Sequence, residues 1–178
     1  MTNAASNTDF NVPVSQDELD SKPSFLMPAG WYGSTLQPGA QLVDGTNTPS
    51  WRGIRIPFSG FTGKDGKTYE KDRNYQVTVA SENDKAVSIG RKQLVEIAVA
   101  FGLAEDTKDS AGKAAKRLTA STPEEFIEQL AGVAGSPCDV YVTVKKRKRD
   151  GQVVQRDDNT GPVMDNEISR VAVFGAGK

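Results

Sequence analysis

Three stretches of alternating apolar and polar residues, each too short for a helix, most constrain what this chain can fold into. In residues 51–58, Ile54, Ile56 and Phe58 share one face while Trp51, Gly53, Arg55 and Pro57 share the other. In residues 74–80, Tyr75, Val77 and Val79 alternate with Gln76 and Thr78. In residues 138–145, Cys138, Val140, Val142 and Val144 alternate with Asp139, Tyr141, Thr143 and Lys145. A period of two is that of a strand with one buried and one exposed face, so the chain is predicted to be mainly β. Two further strands complete the set. Residues 25–36 suit a strand bent at Gly30 and Gly33. Residues 167–174 carry apolar side chains on both parities, as expected of a strand covered on both sides or placed at a closure point.

Helical signals occur between the third and fourth strands. Ser88 is placed to cap a helix with Leu94, Ile97, Ala98 and Phe101 on one face, closed by Gly102. Thr122-Pro123-Glu124-Glu125 reads as a capping box with proline at the first helical position; it opens a helix with Phe126, Ile127, Leu130 and Val133 on its inner side. The remaining segments read as connections. Pro38-Gly39 and residues 44–50 form one loop, Lys64-Asp65-Gly66-Lys67 is a turn, and residues 105–120 are polar and small, expected as a loop with a short turn. Asp150-Gly151 is a turn signal opening a polar loop over residues 151–166.

A chain of 178 residues accommodates one well-buried domain, expected over residues 25–178. Residues 1–24 have too few apolar side chains to offset the entropy of ordering, and they are expected as a flexible, acidic arm. The order strand, strand, strand, helical insert, strand, strand is that of a five-stranded OB-fold-like barrel with a helical insert between strands 3 and 4. The same pattern permits an antiparallel sheet covered by two helices.

The runs GIRIPFSGFTGKDGKTYEKDRNYQVTV, SIGRKQLVEIAVAFGL, CDVYVTVKKRKRDG and NEISRVAVF together resemble small phage-encoded single-stranded DNA-binding proteins of the OB-fold kind. In that family a glycine-rich hairpin precedes a short helix ending in Phe-Gly-Leu-like residues, and a basic strand precedes a final Asn-x-Ile strand. The resemblance covers residues 31–174. Such proteins often end in an acidic tail that recruits replication partners, whereas this chain ends in Val-Phe-Gly-Ala-Gly-Lys; its comparable acidic segment is the amino-terminal arm with Asp9, Asp17, Glu18 and Asp20.

Net charge is only −1, but its distribution is uneven. Residues 51–100 carry nine cations against six anions, and residues 1–50 one against five. Lys145, Lys146, Arg147, Lys148 and Arg149 form an unbroken basic block where the 138–145 strand is expected to leave the core for solvent. Single strands are held by a cationic groove that follows the phosphates and by aromatic platforms on which bases stack. Lys145, Arg147 and Arg149 share the outward parity of Tyr141, so a cation row continues the line of an exposed ring. A lysine-rich strand end equally serves as a guard against edge-to-edge aggregation. Trp51 and Arg55 on strand 2, and Lys64, Lys67 and Tyr69 around the next hairpin, are the further candidates for nucleic-acid binding, with Trp51 also suited to be a lid on the core.

Catalysis has little to rest on. The chain has no histidine, and Cys138 lies on the inward parity of its strand, where it is expected as a small core residue. Asp157, Asp158, Asp165 and Glu167 lack the spacing of a calcium loop, so no metal or other cofactor is expected. One cysteine fits a reducing compartment, and no run of residues reads as a leader or a membrane span. The expectation is a non-catalytic, sequence-tolerant single-stranded DNA-binding protein in a host cytoplasm, acting in replication or recombination. Phage or host replication or recombination proteins, and further copies of the chain, are the expected protein partners. The alternative is a structural or protein-interaction module that binds no nucleic acid.

Overall fold

A long central strand decides how the sheet is built. The computed structural model describes residues 26–46, 48–149, 152–156 and 161–177; the expected arm over 1–24, the Asp150-Gly151 turn and Asp157-Asp158 lie outside them. The first strands are β1 (Gly30–Leu36), β2 (Gln41–Asp44), β3 (Arg52–Thr62), β4 (Thr68–Tyr69) and β5 (Arg73–Ala80). β3 pairs along one edge with β1 and then β2, and along the other with β5 and then β4, all antiparallel. β1 and β2 thus behave as one strand interrupted at residues 37–40. β2 falls within the stretch read from sequence as connection, because only Leu42 and Val43 give it apolar content. Gly66, with a φ of 79°, turns the β3–β4 hairpin where the Asp-Gly pair was expected to do so.

Next come helix α1 (Asp84–Ala100), the hairpin β6 (Ala104–Lys108) and β7 (Ala114–Leu118), and helix α2 (Pro123–Gly132). Asn83, not Ser88, caps α1: its side chain accepts from the amides of Lys85 and Ala86. Ser88 lies a turn inside. α1 buries Gly90, Leu94, Ile97 and Ala98, packing against β5 and the strand Met164–Val173. Gly90 meets the sheet so closely that a Cβ there would lie 1.9 Å from the carbonyl oxygen of Thr78. Gly102 closes the helix with a φ of 70°, while the Leu103 amide reaches back to Ala98 O at 2.7 Å. Thr122 caps α2 by accepting from Glu125 N, and Glu125 in turn accepts from Ser121 N at 2.7 Å. Phe126 and Leu130 are its buried residues.

The hairpin β6–β7 replaces the loop expected over residues 105–120. Its strands are held by the charge pairs Asp106–Lys116 and Glu105–Arg117, and its turn by Asp109, which accepts from the Ala111 and Lys113 amides. Little of it is buried, so it leaves almost no apolar periodicity to read.

The last elements are β8 (Pro137–Lys146), β9 (Lys148–Arg149), β10 (Gln152–Val153) and β11 (Met164–Val173). β8 pairs with β1 on one side and β11 on the other, giving the order β5-β3-β1-β8-β11 for the main strands. Among the described residues the protein is therefore mainly β, with an antiparallel sheet and two helices. At the two open edges β11 lies against β5 without a shared backbone ladder; the Tyr75 hydroxyl donates across to Ser169 O at 3.0 Å. The register of β11 slips between Ile168 and Arg170, leaving Ser169 as the extra residue. That bulge is why both parities of this strand carry apolar side chains: Ile168 before it and Val171 after it are both buried in the same core. Asn166 ties the segment before β1 to β11, its side chain accepting from Met27 N and donating to Met27 O, each at 2.8 Å.

Beyond Lys146 the chain branches into two hairpins, β9–β10 and residues 154–156 against 161–163, before entering β11. A cycle of backbone hydrogen bonds closes the branch point. Arg147 N donates to Val163 O (2.7 Å), Val163 N to Val154 O (2.9 Å), and Val154 N to Arg147 O (2.9 Å). The basic block consequently does not leave the sheet at Lys145, as the loss of apolar residues suggested. Lys145 and Lys146 are still laddered to Asp165 and Met164, and Lys148 and Arg149 belong to the β9–β10 arm. The expected polar loop over 151–166 is correspondingly shortened by these pairings.

Candidate nucleic-acid interface

The core fixes which β8 side chains face outward. Cys138, Val140 and Val142 are fully buried, so Tyr141, Thr143 and Lys145 take the opposite face. Burial pushes the Cys138 thiol up to about 12, with the Asp139 carboxylate adding to it, and no thiol chemistry follows from a group so placed. Asp139 departs from the outward exposure its parity implied. It is buried beneath the segment after β11, where its carboxylate accepts from Gly177 N at 2.8 Å.

Tyr141 forms the centre of a row that crosses three strands. Its register partners are Trp31 on β1 and Arg170 on β11. The Trp31 and Tyr141 rings meet edge to face at 5.3 Å, and the Arg170 guanidinium stands 5.9 Å from the Trp31 ring. A contribution from Glu96, paired with Arg170 at 3.3 Å, holds that cation over the aromatic pair.

Along β8 the row leads to the basic block, all five residues of which are exposed. Lys145 pairs with Glu167 at 2.6 Å, and Arg147 grips Asp165 in a bidentate pair, Nε to Oδ2 at 2.7 Å and Nη2 to Oδ1 at 2.6 Å. The Arg147 hydrogen bonds hold the Asp165 carboxyl below its usual range, with Lys71 and Arg73 acting in the same direction. Lys146, Lys148 and Arg149 have no carboxylate partner among the described residues. Together with Asp165 and Glu167, the block from Lys145 to Lys148 lines a shallow concavity of about 550 Å³. Among the described residues, four cations against two carboxylates make this concavity positive.

The other sequence candidates divide into two places. Lys64 and Lys67 occupy the β3–β4 turn beside β1; Lys67 Nζ lies 5.1 Å from the Tyr69 ring, and Tyr69 meets the buried Tyr32 edge-on at 5.9 Å. Tyr69 is half-buried there and serves the hairpin as much as any ligand. Arg55 sits on the other half of β3, and Trp51 immediately precedes that strand. The Trp51 ring covers Gly53, where a Cβ would lie 2.6 Å from the indole, and its Nε1 donates to Thr78 Oγ1 at 3.1 Å. Arg55 is flanked in register by Gln41 and Gln76, away from the aromatic row.

Sequence reasoning missed Trp31 and Arg170. Trp31 had a readable signal: Trp31 and Tyr32 are consecutive in a strand, so one ring had to face outward. Arg170 had none, because only the Ser169 bulge brings it opposite Tyr141. Among the described residues there is no cluster of three metal-ligating side chains, and no helix long and apolar enough to cross a membrane. Comparison with protein-family models and with curated protein sequences finds no match to this chain.

Proposed function

We propose that this chain is a sequence-tolerant, non-catalytic single-stranded DNA-binding protein of phage type, protecting strands during replication or recombination in a host cytoplasm. The observation that carries the reading is the outward face of β8, with the Trp31–Tyr141 ring pair, then Thr143, then Lys145, beyond which the exposed cations Lys146 to Arg149 follow at the end of the sheet. Rings and cations in one line match the two needs of a single strand, base stacking and phosphate neutralisation. We infer further that the sheet is a barrel of the OB type. The order β5-β3-β1-β8-β11 and the Tyr75–Ser169 contact between its edges support that reading. Replication or recombination proteins, and further copies of the chain, are the partners this role implies.

Fluorescent oligonucleotide titrations over a salt series test the proposal. Binding that weakens steeply with salt is expected; no binding at low salt, or binding indifferent to salt, would sink it. A second reading, a protein-interaction module, is favoured by the exposed Val173 and Phe174, which are 48% and 60% accessible. Light scattering with and without oligonucleotide separates the two, since that module would self-assemble or stay inert to DNA.

A further inference from the structure

A pocket of about 260 Å³ opens between β1 and the segment that follows β11, lined by Trp31, Gly33, Thr62, Lys64, Phe174 and Gly175 among others. Gly33 faces outward on β1 and leaves the floor bare. Phe174 stands over it, since a Cβ on Gly33 would lie 3.5 Å from the ring carbon Cε2. The main chain at Gly177 abuts the Trp31 indole, and the buried Asp139 carboxylate anchors it by accepting the Gly177 amide at 2.8 Å. Phe174 is 60% exposed, so its ring has no core to stabilise. The walls are thus mainly the rings of Trp31, Tyr32 and Phe174 and bare backbone, Asp139 is already engaged, and Lys64 brings the cation to the pocket.

We propose that this pocket receives one base of the bound strand, stacked on Phe174 beside Trp31, with Lys64 against a neighbouring phosphate. The inference rests on the single-stranded DNA reading and adds where a base goes. Its size falls just below the ~300–1,000 Å³ of pockets that take drug-sized ligands, which is the scale of a single heteroaromatic ring. Its position also fits one path. From Asp139 to Lys145 is six residues of extended β8, about 20 Å, so a strand seated in the pocket runs past Trp31 and Tyr141 onto the basic block.

The test uses the full chain, a fluorescent oligothymidylate, and an oligomer of equal length whose central positions are abasic. Gly33→Leu fills the pocket at a position where the added Cβ meets only ordinary van der Waals neighbours. Phe174→Ala removes the exposed ring. Wild type is expected to prefer the base-bearing oligomer, and each variant to bind it about tenfold more weakly while its affinity for the abasic oligomer stays unchanged. Far-UV circular dichroism and urea midpoints check the fold; if Gly33→Leu fails to fold, Phe174→Ala decides alone. Variants that leave the wild-type preference intact overturn the pocket while leaving the DNA reading standing; equal wild-type affinity for both oligomers overturns the pocket together with base stacking on the Trp31–Tyr141 rings and leaves only the phosphate contacts of the DNA reading. If wild type binds neither oligomer, the DNA reading itself fails and takes the pocket with it.

Discussion

Replacing Lys146, Lys148 and Arg149 together by glutamine should change the salt dependence of oligonucleotide binding by an amount set by the ion pairing at the end of β8. These three have no carboxylate partner among the described residues, whereas Lys145 and Arg147 are engaged by Glu167 and Asp165. Each phosphate contact on a single strand contributes about 0.7 to the slope of log affinity against log salt, so three lost contacts lower that slope by about 2. Between 50 and 200 mM salt, wild type should then lose about 20-fold more affinity than the triple variant. The matched double variant, Lys145→Gln with Arg147→Gln, should lower the slope by less, because its cations are already shared with protein carboxylates. Fluorescence anisotropy at four or five salt concentrations gives both slopes, and urea melts should place the triple variant within about 0.5 kcal/mol of wild type, since all three side chains are exposed. An unchanged slope in the triple variant, or a larger change in the double, would refute the assignment of phosphate contacts to the unpaired cations.

Four other outcomes can be checked directly. Gly90→Ala should destabilise the fold by roughly 1–3 kcal/mol, because a Cβ 1.9 Å from Thr78 O forces α1 off β5 despite the better helix propensity of alanine; urea denaturation measures it, and a stability gain would contradict the packing. Asp165→Asn should narrow the gap in urea midpoint to wild type as pH falls. The folded carboxyl sits below its unfolded value near 3.9, so its stabilisation is present above about pH 4 and lost as the pH drops through the folded value. The same variant frees Arg147 and should tighten oligonucleotide binding at neutral pH. Cys138 should resist a disulfide reagent at pH 8 in the native protein and react at once in urea, since burial holds the thiol up to about 12.

The strands that bury one face were legible because the core imposes a period of two on them. Ile54, Ile56 and Phe58, then Tyr75 and Val77, then Cys138, Val140 and Val142 all lie inside as their alternation implied. What burial does not dictate was not legible. β6–β7 is held by charge pairs and by Asp109 in its turn, and β2 by its ladder to β3, so neither carries an apolar pattern. The basic block was readable as cations, but which of them are paired among the described residues depends on Asp165 and Glu167, eighteen and more residues away in sequence. Trp51 was suited in sequence to be either a lid or a platform; Gly53 two residues on makes the hollow over which the indole folds, which spacing alone does not reveal.

The hydrogen-bonded cycle of Arg147, Val154 and Val163 gives the basic arm a modular character. All three amides and all three carbonyls of the cycle are main-chain groups satisfied by one another, so the sheet ends cleanly there whatever side chains lie beyond. The β9–β10 arm can therefore be exchanged like a cartridge. Replacing residues 148–153 by Asn-Gly would close a two-residue hairpin between Arg147 and Val154 and leave the core untouched. The same socket could accept arms of other charge or length, turning one scaffold into a series that differs only in what it presents at that rim.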